Sequence, residues 1–541
     1  MQILYFNCVL WYNVSKKNAK EFIRMTSKDA YIRQLENMVK SQEILIKQLQ
    51  AQIENLTEAV LAMRHGKFGP SSEKTPKSDE NQLSIFNEVE LHADEKAEDP
   101  IVRDVNGYKR VNRKTKRMEI IGDLPVREIE CTSGEADLVC PQCSGMLKPL
   151  GKETVREELE YIPARLQIVR YTRWSYECPA CKHTDHPHIQ KALTPTSLMN
   201  HSLASPSSVA HVMYEKYVKS VPLYRQEKDW MDMGLSLSRA TMANWIIRCS
   251  EDYLMPVVQH LKKHLMQRDI LHADETPVQV LKEEGKAPQS KSYMWLYCSG
   301  NDGLEQIILY DYQSSRSGKN AADYIEGFHG YVHSDGYSGY NRLTGITRCG
   351  CWAHVRRKFV EAVPRTKASG NVLSDAETGR AYCDRLFMLE RELQGLSADE
   401  RKQERLSRGK AILGEFWSWL ETVNALPGSK LGKAVAYALN QKPYLENYLE
   451  DGRCSISNNT AENAIRPFVV GRKNWLFADT PGGASASAAV YSIVETAKAN
   501  GLNVYTYLEY LLLYMPDWDH TDEYLENLMP WSEAVQAECT R

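Results

Sequence analysis

The stretch from Asp269 to Val363 has an order of elements that few folds can accommodate. Short runs rich in apolar, β-branched and aromatic residues predict three strands, a helix, a strand, and a last strand followed by a helix. These elements begin at Asp269, Ser292, Gln306, Lys319, Tyr331 and Ile346. Three hairpin-like strands, a crossover helix and a further strand are typical of a mixed sheet covered by helices. The stretch therefore predicts an RNase-H-like α/β core.

Three acidic residues are the candidate chemical groups of this core. Asp274 lies in LHADET and Asp335 in VHSDGY, each after an apolar strand segment, and neighbouring strands could bring them together. Glu462 lies in NNTAEN, in the first turn of a predicted helix. Carboxylates that meet from two strand ends and a helix are typical ligands for a pair of Mg2+ ions, which can clamp both oxygens of a phosphodiester reaction. The pattern predicts strand-transfer chemistry on nucleic acid.

Glu462 also has an ordinary structural interpretation. Asn459 is a good N-cap, which would place Glu462 at the third helical position, where glutamate often closes a capping box. Arg466 lies four residues further and could pair with it across one helical turn. The pattern alone leaves both interpretations open.

Two Cys-Pro-x-Cys knuckles form the second chemical signal. Cys140 and Cys143 make the first knuckle, and Cys178 and Cys181 make the second. Each offers two thiolates at a spacing that suits tetrahedral Zn2+, and four thiolates complete a closed structural site. Strand-like residues between the knuckles, 166–177, predict a zinc ribbon.

A heptad repeat runs through residues 32–63. Its a positions are Ile32, Val39, Ile46, Ile53 and Val60, and its d positions are Leu35, Gln42, Leu49, Leu56 and Met63. Branched residues at a with mostly leucine at d favour a parallel two-stranded coiled coil. We therefore expect a dimer; one long helix packed on its own chain is the alternative.

Two further regions are predicted to be helical. Residues 203–265 contain a helix pair joined by a glycine-containing turn, which fits a helix-turn-helix with Ser238 as an N-cap. Met242, Trp245 and Ile246, at helical spacing in the second helix, fit core packing instead of base contacts. Residues 366–450 predict an all-helical insertion, with a capping box at Ser397.

The fold class that follows is a multidomain α+β chain: an N-terminal coiled coil, a zinc ribbon, a helical DNA-binding region and an RNase-H-like α/β catalytic core with an all-helical insertion. The expected segments are 1–24, upstream read-through before a start at Met25; 25–64, coiled coil; 65–125, linker with a basic segment; 126–190, zinc-binding domain; 191–265, helical domain; 266–365, first part of the core; 366–450, helical insertion; 451–500, second part of the core; and 501–541, C-terminal helical segment.

Composition excludes other classes of protein. The 541 residues are 43% hydrophobic and 25% charged, which suits several soluble cores. Thirteen cysteines, mostly lying singly, argue against a disulfide framework and for a reducing cytosol. The apolar residues 1–14 lack a basic region and a cleavage site and are too short to span a bilayer, so we expect neither export nor a membrane anchor.

Five longer motifs add a family resemblance. They are Leu271-HADETPVQVL, His333-SDGYSGY, Cys351-WAHVRRKF, Asn458-NTAENAIRPFVVGRKNWLF and Ser492-IVETAKANGLNVYTYLEYLL. Together with the two knuckles and the segments Lys67-FGPSSEK and Pro222-LYRQE, they resemble the insertion-sequence-66 (IS66) family of bacterial DDE transposases. The resemblance covers nearly the whole chain after Met25. One departure is Asn463, where the family pattern has a basic residue.

The resemblance implies a catalytic triad of Asp274, Asp335 and Glu462 that holds two Mg2+ ions, for which Mn2+ can substitute, with Zn2+ as a structural ion. It implies binding to transposon ends, strand cleavage and transfer to target DNA, in the bacterial cytoplasm with the nucleoid. The expected partners are these DNAs, a second copy of the chain and accessory proteins of the element. Residues expected to contact DNA are Arg356, Arg357, Arg466, Arg472, Lys473 and Trp475.

Two other functions remain open from the sequence. His272 and His333 each precede an aspartate by two residues and so share its strand face, which could make a His/Asp site for one transition metal in a hydrolase. Such a hydrolase would survive loss of Glu462. The chain could also be a zinc-ribbon DNA-binding protein without catalysis.

Overall fold

The computed structural model describes residues 38–40, 42, 166–177, 189–364 and 373–540. The chain divides into two compact units, Met1–Phe68 with Val169–Arg541, and Gly69–Ile168. All but three of the described residues belong to the first unit. The four cysteines of the knuckles and the basic segment lie outside the described residues, as does the heptad apart from residues 38–40 and 42, which are helical and exposed.

A five-stranded mixed sheet forms the centre of the first unit, and a separate antiparallel hairpin precedes it. The hairpin strands are β1, Ser175–Glu177, and β2, Ile189–Lys191. The sheet strands are β3, Ile270–Gln279; β4, Lys291–Ser299; β5, Ile308–Gln313; β6, Tyr331–His333; and β7, Thr347–Cys349. Their order is β5-β4-β3-β6-β7, with β3, β4 and β5 antiparallel and β6 and β7 parallel to β3.

The hairpin is shorter than the sequence predicts. Of the strand expected over 166–177, only Ser175–Glu177 pairs with a partner. Residues 166–174 have no strand structure.

Helices precede the strands of the sheet along the chain, connect some of them and follow the last one. Before and within it they are α1, Pro206–Tyr217; α2, Leu223–Asp232; α3, Arg239–Cys249; α4, Met255–Leu265; α5, Gly318–Tyr324; and α6, Trp352–Ala362. The insertion contains α7, Asp375–Glu392; α8, Ala398–Glu404; α9, Lys410–Thr422; and α10, Lys430–Leu445. After it come α11, Asn459–Trp475; α12, Pro481–Ala499; α13, Val504–Tyr514; α14, Asp522–Glu526; and α15, Glu533–Cys539. None of the described helices combines the length and apolar composition needed to cross a bilayer.

Helix α12 packs against edge strand β5 and supplies its missing hydrogen bonds. Nearly every α12 residue from Ala484 to Ala497 is buried. The hydroxyl of Ser492 accepts from the backbone amide of Tyr310 at 2.7 Å, and that of Thr496 accepts from Ile308 at 3.0 Å. An exposed edge strand invites pairing with another chain, so this cover protects the sheet.

The helical insertion has its own core, which includes the end of the sheet. Trp352 and Phe359 of α6 pack with Phe416 and Trp417 of α9, and Cys349 of β7 joins the same cluster. The capping box predicted at Ser397 is confirmed, since its side chain and that of Glu400 satisfy each other's backbone amides. The insertion is therefore fused to the sheet through α6.

The helix pair α2 and α3 lies before the sheet. Ser238 caps α3, as predicted, by accepting from the backbone amide of Thr241 at 3.1 Å. Met242, Trp245 and Ile246 are buried, which confirms their packing role. A DNA contact through the remaining face of α3 stays a prediction.

Candidate active site

Asp274 and Asp335 lie near each other because β3 and β6 are parallel neighbours. His272 of β3 pairs with His333 of β6, and each aspartate follows its histidine by two residues. The sequence suggested that Asp274 lies at the end of a strand. It does not, because β3 continues to Gln279 in antiparallel pairing with β4. The shared register directs both carboxylates to one region of the sheet.

The loop that carries Asp335 is held from two sides. Its carboxylate accepts from the backbone amide of Tyr337 at 2.9 Å. The buried guanidinium of Arg348 donates to the backbone carbonyl of Asp335 and to the hydroxyl of Ser334, the latter at 2.9 Å. A Cβ at Gly336 would lie 2.6 Å from the ring of Tyr437 in the insertion, so the loop needs glycine there.

Asn458 connects the start of α11 to β3. Its side-chain amide donates to the carbonyl of Ala273 at 2.8 Å, and its side-chain oxygen lies 3.0 Å from His272 Nδ1. Its backbone amide donates to Cys351 Sγ at 3.2 Å. Asn458, and not Asn459, precedes the helix, and its side chain makes no capping bond. The prediction that Asn459 caps the helix and Glu462 occupies its third position is therefore wrong.

The side chain of Glu462 contacts residues of α6 and not Arg466 of its own helix. Its carboxylate lies 3.2 Å from Arg357 and 3.6 Å from His354 Nδ1, whereas the sequence suggested Arg466 as its partner. Glu462 Oε1 and His354 Nδ1 are both buried without a hydrogen bond. Together with Cys351 they form a group whose donor atoms all lie within 4.8 Å of one another. Among the site residues, His354 was not predicted, although its spacing in Cys351-WAH resembles a ligand pair.

The site carries excess buried negative charge. Burial, with smaller contributions from the carboxylates of Glu275, Asp335 and Glu462, raises the pKa of Asp274 to about 8, although a hydrogen bond from the Glu275 backbone amide lowers it. Burial also raises the pKa of Glu275, although Tyr340 and Arg316 donate to it at 2.5 and 2.6 Å. A raised carboxyl pKa marks a position where a cation would favour the ionised form.

The three acidic residues do not make up the ligand set of a single ion. Within the described residues, Asp274, Asp335 and Glu462 do not form a group with all donor atoms within 4.8 Å. Two ions about 3.5–4 Å apart can be held by acids that are further apart than the ligands of one ion. The lack of a hydrogen bond to Glu462 Oε1 and the raised pKa of Asp274 are consistent with such a pair.

His272 and His333 stack on each other inside the core. Their ring centroids are 4.4 Å apart with a 14° angle between planes, and both side chains are fully buried. Burial lowers the pKa of His272 to about 4, and burial with His272 lowers the pKa of His333. In the part of the chain that the structure describes, they form no single-ion group with Asp274 and Asp335. The geometry does not favour the hydrolase alternative.

The expected DNA-contacting residues of α6 and α11 have different surroundings. Arg356 pairs with Asp384 at 2.6 Å, and Arg357 with Glu462. Arg466 and Lys473 are exposed. Arg472 donates to Thr276 at 3.0 Å and to the carbonyl of Pro277, so it braces β3.

Trp475 packs against the core. Its ring contacts the rings of Tyr217 and Tyr491, with centroids 6.3 and 6.5 Å away. The Lys216 ammonium lies 4.1 Å from the centroid of the Trp475 ring. These neighbours occupy much of the ring surface that base stacking would use.

Comparison with known proteins gives the family. Residues 201–486 match the model described as "Transposase IS66 family", residues 137–182 the "zinc-finger binding domain of transposase IS66", and residues 492–531 the "IS66 C-terminal element". Residues 55–129 match "Transposase C of IS166 homeodomain". The zinc-finger match spans all four cysteines of the knuckles.

Similar proteins are known from Sinorhizobium fredii (strain NBRC 101917 / NGR234). Uncharacterized protein y4qI is 28% identical over 96% of this chain and 95% of its own length. Uncharacterized protein y4jD is also 28% identical, over 73% of this chain and 78% of its own. Because the first family model covers more than half of the 541 residues, the chain belongs to the IS66 family of transposases, a family of DNA-processing enzymes.

Proposed function

We propose that the protein is a DDE transposase that cleaves DNA at transposon ends and transfers the freed strand to target DNA, with Asp274, Asp335 and Glu462 as its catalytic triad. The observation that carries the proposal is that Asp274 and Asp335 each follow one of the paired histidines His272 and His333 by two residues, and that both Asp335 and Glu462 lie close enough to raise the pKa of Asp274. Carboxylates gathered in this way would stabilise divalent cations, which prefer oxygen ligands.

The topology supports an RNase-H-like core. Three antiparallel strands, a helix on the connection, and two parallel strands match the order expected from the sequence. Helix α11 then brings the third acid to the same part of the sheet, through the contacts of Asn458 with β3.

The three acids would hold two Mg2+ ions, or Mn2+ in their place. When bound, these ions would supply Lewis-acid activation of a phosphodiester. Asp274, whose pKa is about 8 without them, would lose its proton as they bind. Arg357 balances the charge of Glu462 and lies at the mouth of the site, half exposed, where a DNA phosphate could approach it.

DNA binding would involve exposed cations around the site. Arg466 and Lys473 are exposed and could contact the phosphates of the DNA backbone. Arg356 and Arg357 could exchange their acidic partners for DNA phosphates. Arg472 would not contact DNA itself but would hold β3, the strand that carries Asp274, in place. Trp475 remains a stacking candidate only if its contacts with Tyr217 and Lys216 rearrange.

The remaining features of the proposal concern segments outside the described residues. Cys140, Cys143, Cys178 and Cys181 would bind structural Zn2+, and the heptad would form a parallel dimer. The proposed environment is the bacterial cytoplasm, where a reducing potential keeps thiols free. The seven described cysteines are consistent with this, since all are buried and free.

Cleavage of a labelled duplex that carries the element's terminal repeat would test the proposal. Wild-type protein in Mg2+ should nick the duplex at the transposon end, and Asp274→Asn and Glu462→Gln should bind it but lose nicking by at least about a hundredfold, since each removes a metal ligand. Asp323→Asn, an exposed site on α5, is the matched control and should keep activity. Nicking that survives Glu462→Gln would favour the His/Asp hydrolase, and binding without any nicking by wild type would favour a DNA-binding protein alone.

A further inference from the structure

A second cluster of metal-ligand residues lies away from the proposed active site. We propose that His260 and His264 of α4, together with Glu526 of α14, form a binding site for Zn2+ or a similar divalent transition metal. The site would join the C-terminal segment to the helix that leads into β3. It is distinct from the cysteine knuckles and from the proposed Mg2+ site.

The two histidines converge on one carboxylate oxygen. They are four residues apart, so they lie on the same face of α4. His260 Nε2 and His264 Nε2 each lie 2.8 Å from Glu526 Oε2. One donor atom from each of the three residues lies within 4.8 Å of the other two. A small movement of the carboxylate would place all three donors at ligand distance, about 2.0–2.2 Å, from a shared ion.

The surrounding groups orient these ligands. The indole nitrogen of Trp531 donates to Glu526 Oε1 at 3.1 Å, so the other carboxylate oxygen faces the histidines. His260 Nδ1 is buried without a hydrogen bond and lies 3.6 Å from Asp522 Oδ1. A carboxylate beside the outer nitrogen of a metal-bound histidine is a common arrangement, because it holds the ring and fixes the tautomer.

Hydrogen bonds alone account less well for His260. If neutral His260 donates from Nε2 to Glu526, its Nδ1 carries a buried lone pair that faces the Asp522 carboxylate. Two acceptors then face each other. With a cation on Nε2, the proton moves to Nδ1 and can point at Asp522, which satisfies both nitrogens. A protonated imidazolium also satisfies both nitrogens, so protons and metal ions would compete for the site.

The donor set selects the metal. Two imidazole nitrogens and one carboxylate oxygen suit Zn2+, whereas Mg2+ prefers oxygen ligands alone. His264 and Glu526 are partly exposed, so an ion can enter and keep a water as a further ligand. Because α14 belongs to the C-terminal segment and α4 directly precedes β3, the ion would fasten that segment beside the strand of Asp274.

Zinc content and thermal stability of the full-length protein would test the site. Purified protein, with its cysteine-bound zinc retained, is mixed with ZnCl2 without Mg2+ or chelator, desalted and analysed for bound zinc. Wild type should retain one more zinc per chain than His264→Ala and Glu526→Gln, with at least about tenfold tighter binding. Zinc should also raise the unfolding temperature of wild type and not of these variants.

Gln259→Ala is the matched control. Gln259 lies exposed on the same helix, and its side-chain amide contacts Met255 and none of the groups of the proposed site. This variant should behave as wild type. Equal zinc content and equal thermal shifts in wild type and Glu526→Gln would overturn the proposal. Glu526→Gln decides the matter if His264→Ala fails to fold, because glutamine keeps the volume and can still accept from histidine.

Discussion

Asp274→Asn should make the metal-free protein more stable, because it removes a carboxylate that the fold disfavours. Asp274 has a pKa of about 8, against a value of 3.8 for an ordinary aspartate. Between those two pH values the native state holds a proton that the unfolded state has lost, so the free energy of unfolding falls as pH rises. The penalty is absent below pH 4 and complete above pH 8.

The size of the effect follows from the shift. About four pH units at 1.36 kcal/mol each set an upper limit of about 5 kcal/mol. Glu275, Asp335 and Glu462 contribute repulsion that they also share, so about 3 kcal/mol is the gain we expect from Asp274→Asn at pH 8. At pH 5, which is little more than one unit above the ordinary aspartate value, only about a quarter of this gain should be present.

The assay is thermal or urea unfolding of both proteins from pH 5 to 8.5 in buffer without divalent cations. The difference between them should grow with pH. Added Mg2+ should then stabilise wild type more at pH 8 than at pH 6, since fewer protons compete for Asp274, and should have little effect on Asp274→Asn. Asp323→Asn makes the same change of charge on an exposed surface and should follow wild type. Parallel stability curves for wild type and Asp274→Asn across this pH range would refute the reasoning.

Three further predictions concern the parts that support the site. Asn458→Ala should lower the free energy of unfolding by about 2–4 kcal/mol and reduce nicking, because it leaves His272 Nδ1 and the Ala273 carbonyl without partners; urea unfolding and the nicking assay measure both. Gly336→Ala should reduce nicking by displacing the Asp335 loop from Tyr437, and Tyr437→Ala in the same chain should restore part of it; no restoration would contradict the contact. Arg405→Ala should cost about 3–5 kcal/mol in urea unfolding, because it removes the donor to the carboxylate of Glu390 and to three carbonyls in the insertion core; Arg408→Ala, at an exposed pair, should change little.

The sequence predicted most of the sheet because its strands are short apolar runs with clear limits. The strands near Asp274, Ser292, Gln306 and Tyr331 all occur, in the expected order. Of the strand expected over 166–177, only Ser175–Glu177 forms, paired with the three residues of β2. Local propensity carries no information about the length of a partner.

The sequence also indicated the three acids but not what surrounds them. Asp274 and Asp335 could be paired from strand order, whereas the contacts of Glu462 with His354 and Arg357 depend on how α6 packs against α11. The helix start was wrong by one residue because Asn458 and Asn459 are equally good caps by sequence. Tertiary contacts decide between them: the Asn458 side chain is used by β3.

Glu462 is far from the sheet strands along the chain, but contacts between the two ends of the insertion bring it close to them in space. The backbone amide of Trp352 donates to the carbonyl of Ile456 at 3.1 Å, and that of Asn458 donates to Cys351 Sγ at 3.2 Å. The chain thus enters and leaves the insertion at the same place. The roughly hundred residues between these contacts form one large loop. Loop closure costs grow only slowly with length, so a long insertion here is tolerated. The insertion is also part of the site, since Tyr437 limits the Asp335 loop and α10 supplies Gln441, which accepts from Arg348 at 3.3 Å. The contacts of Asn458 with Cys351 and with Ala273 therefore hold the start of α11, and with it Glu462, beside β3.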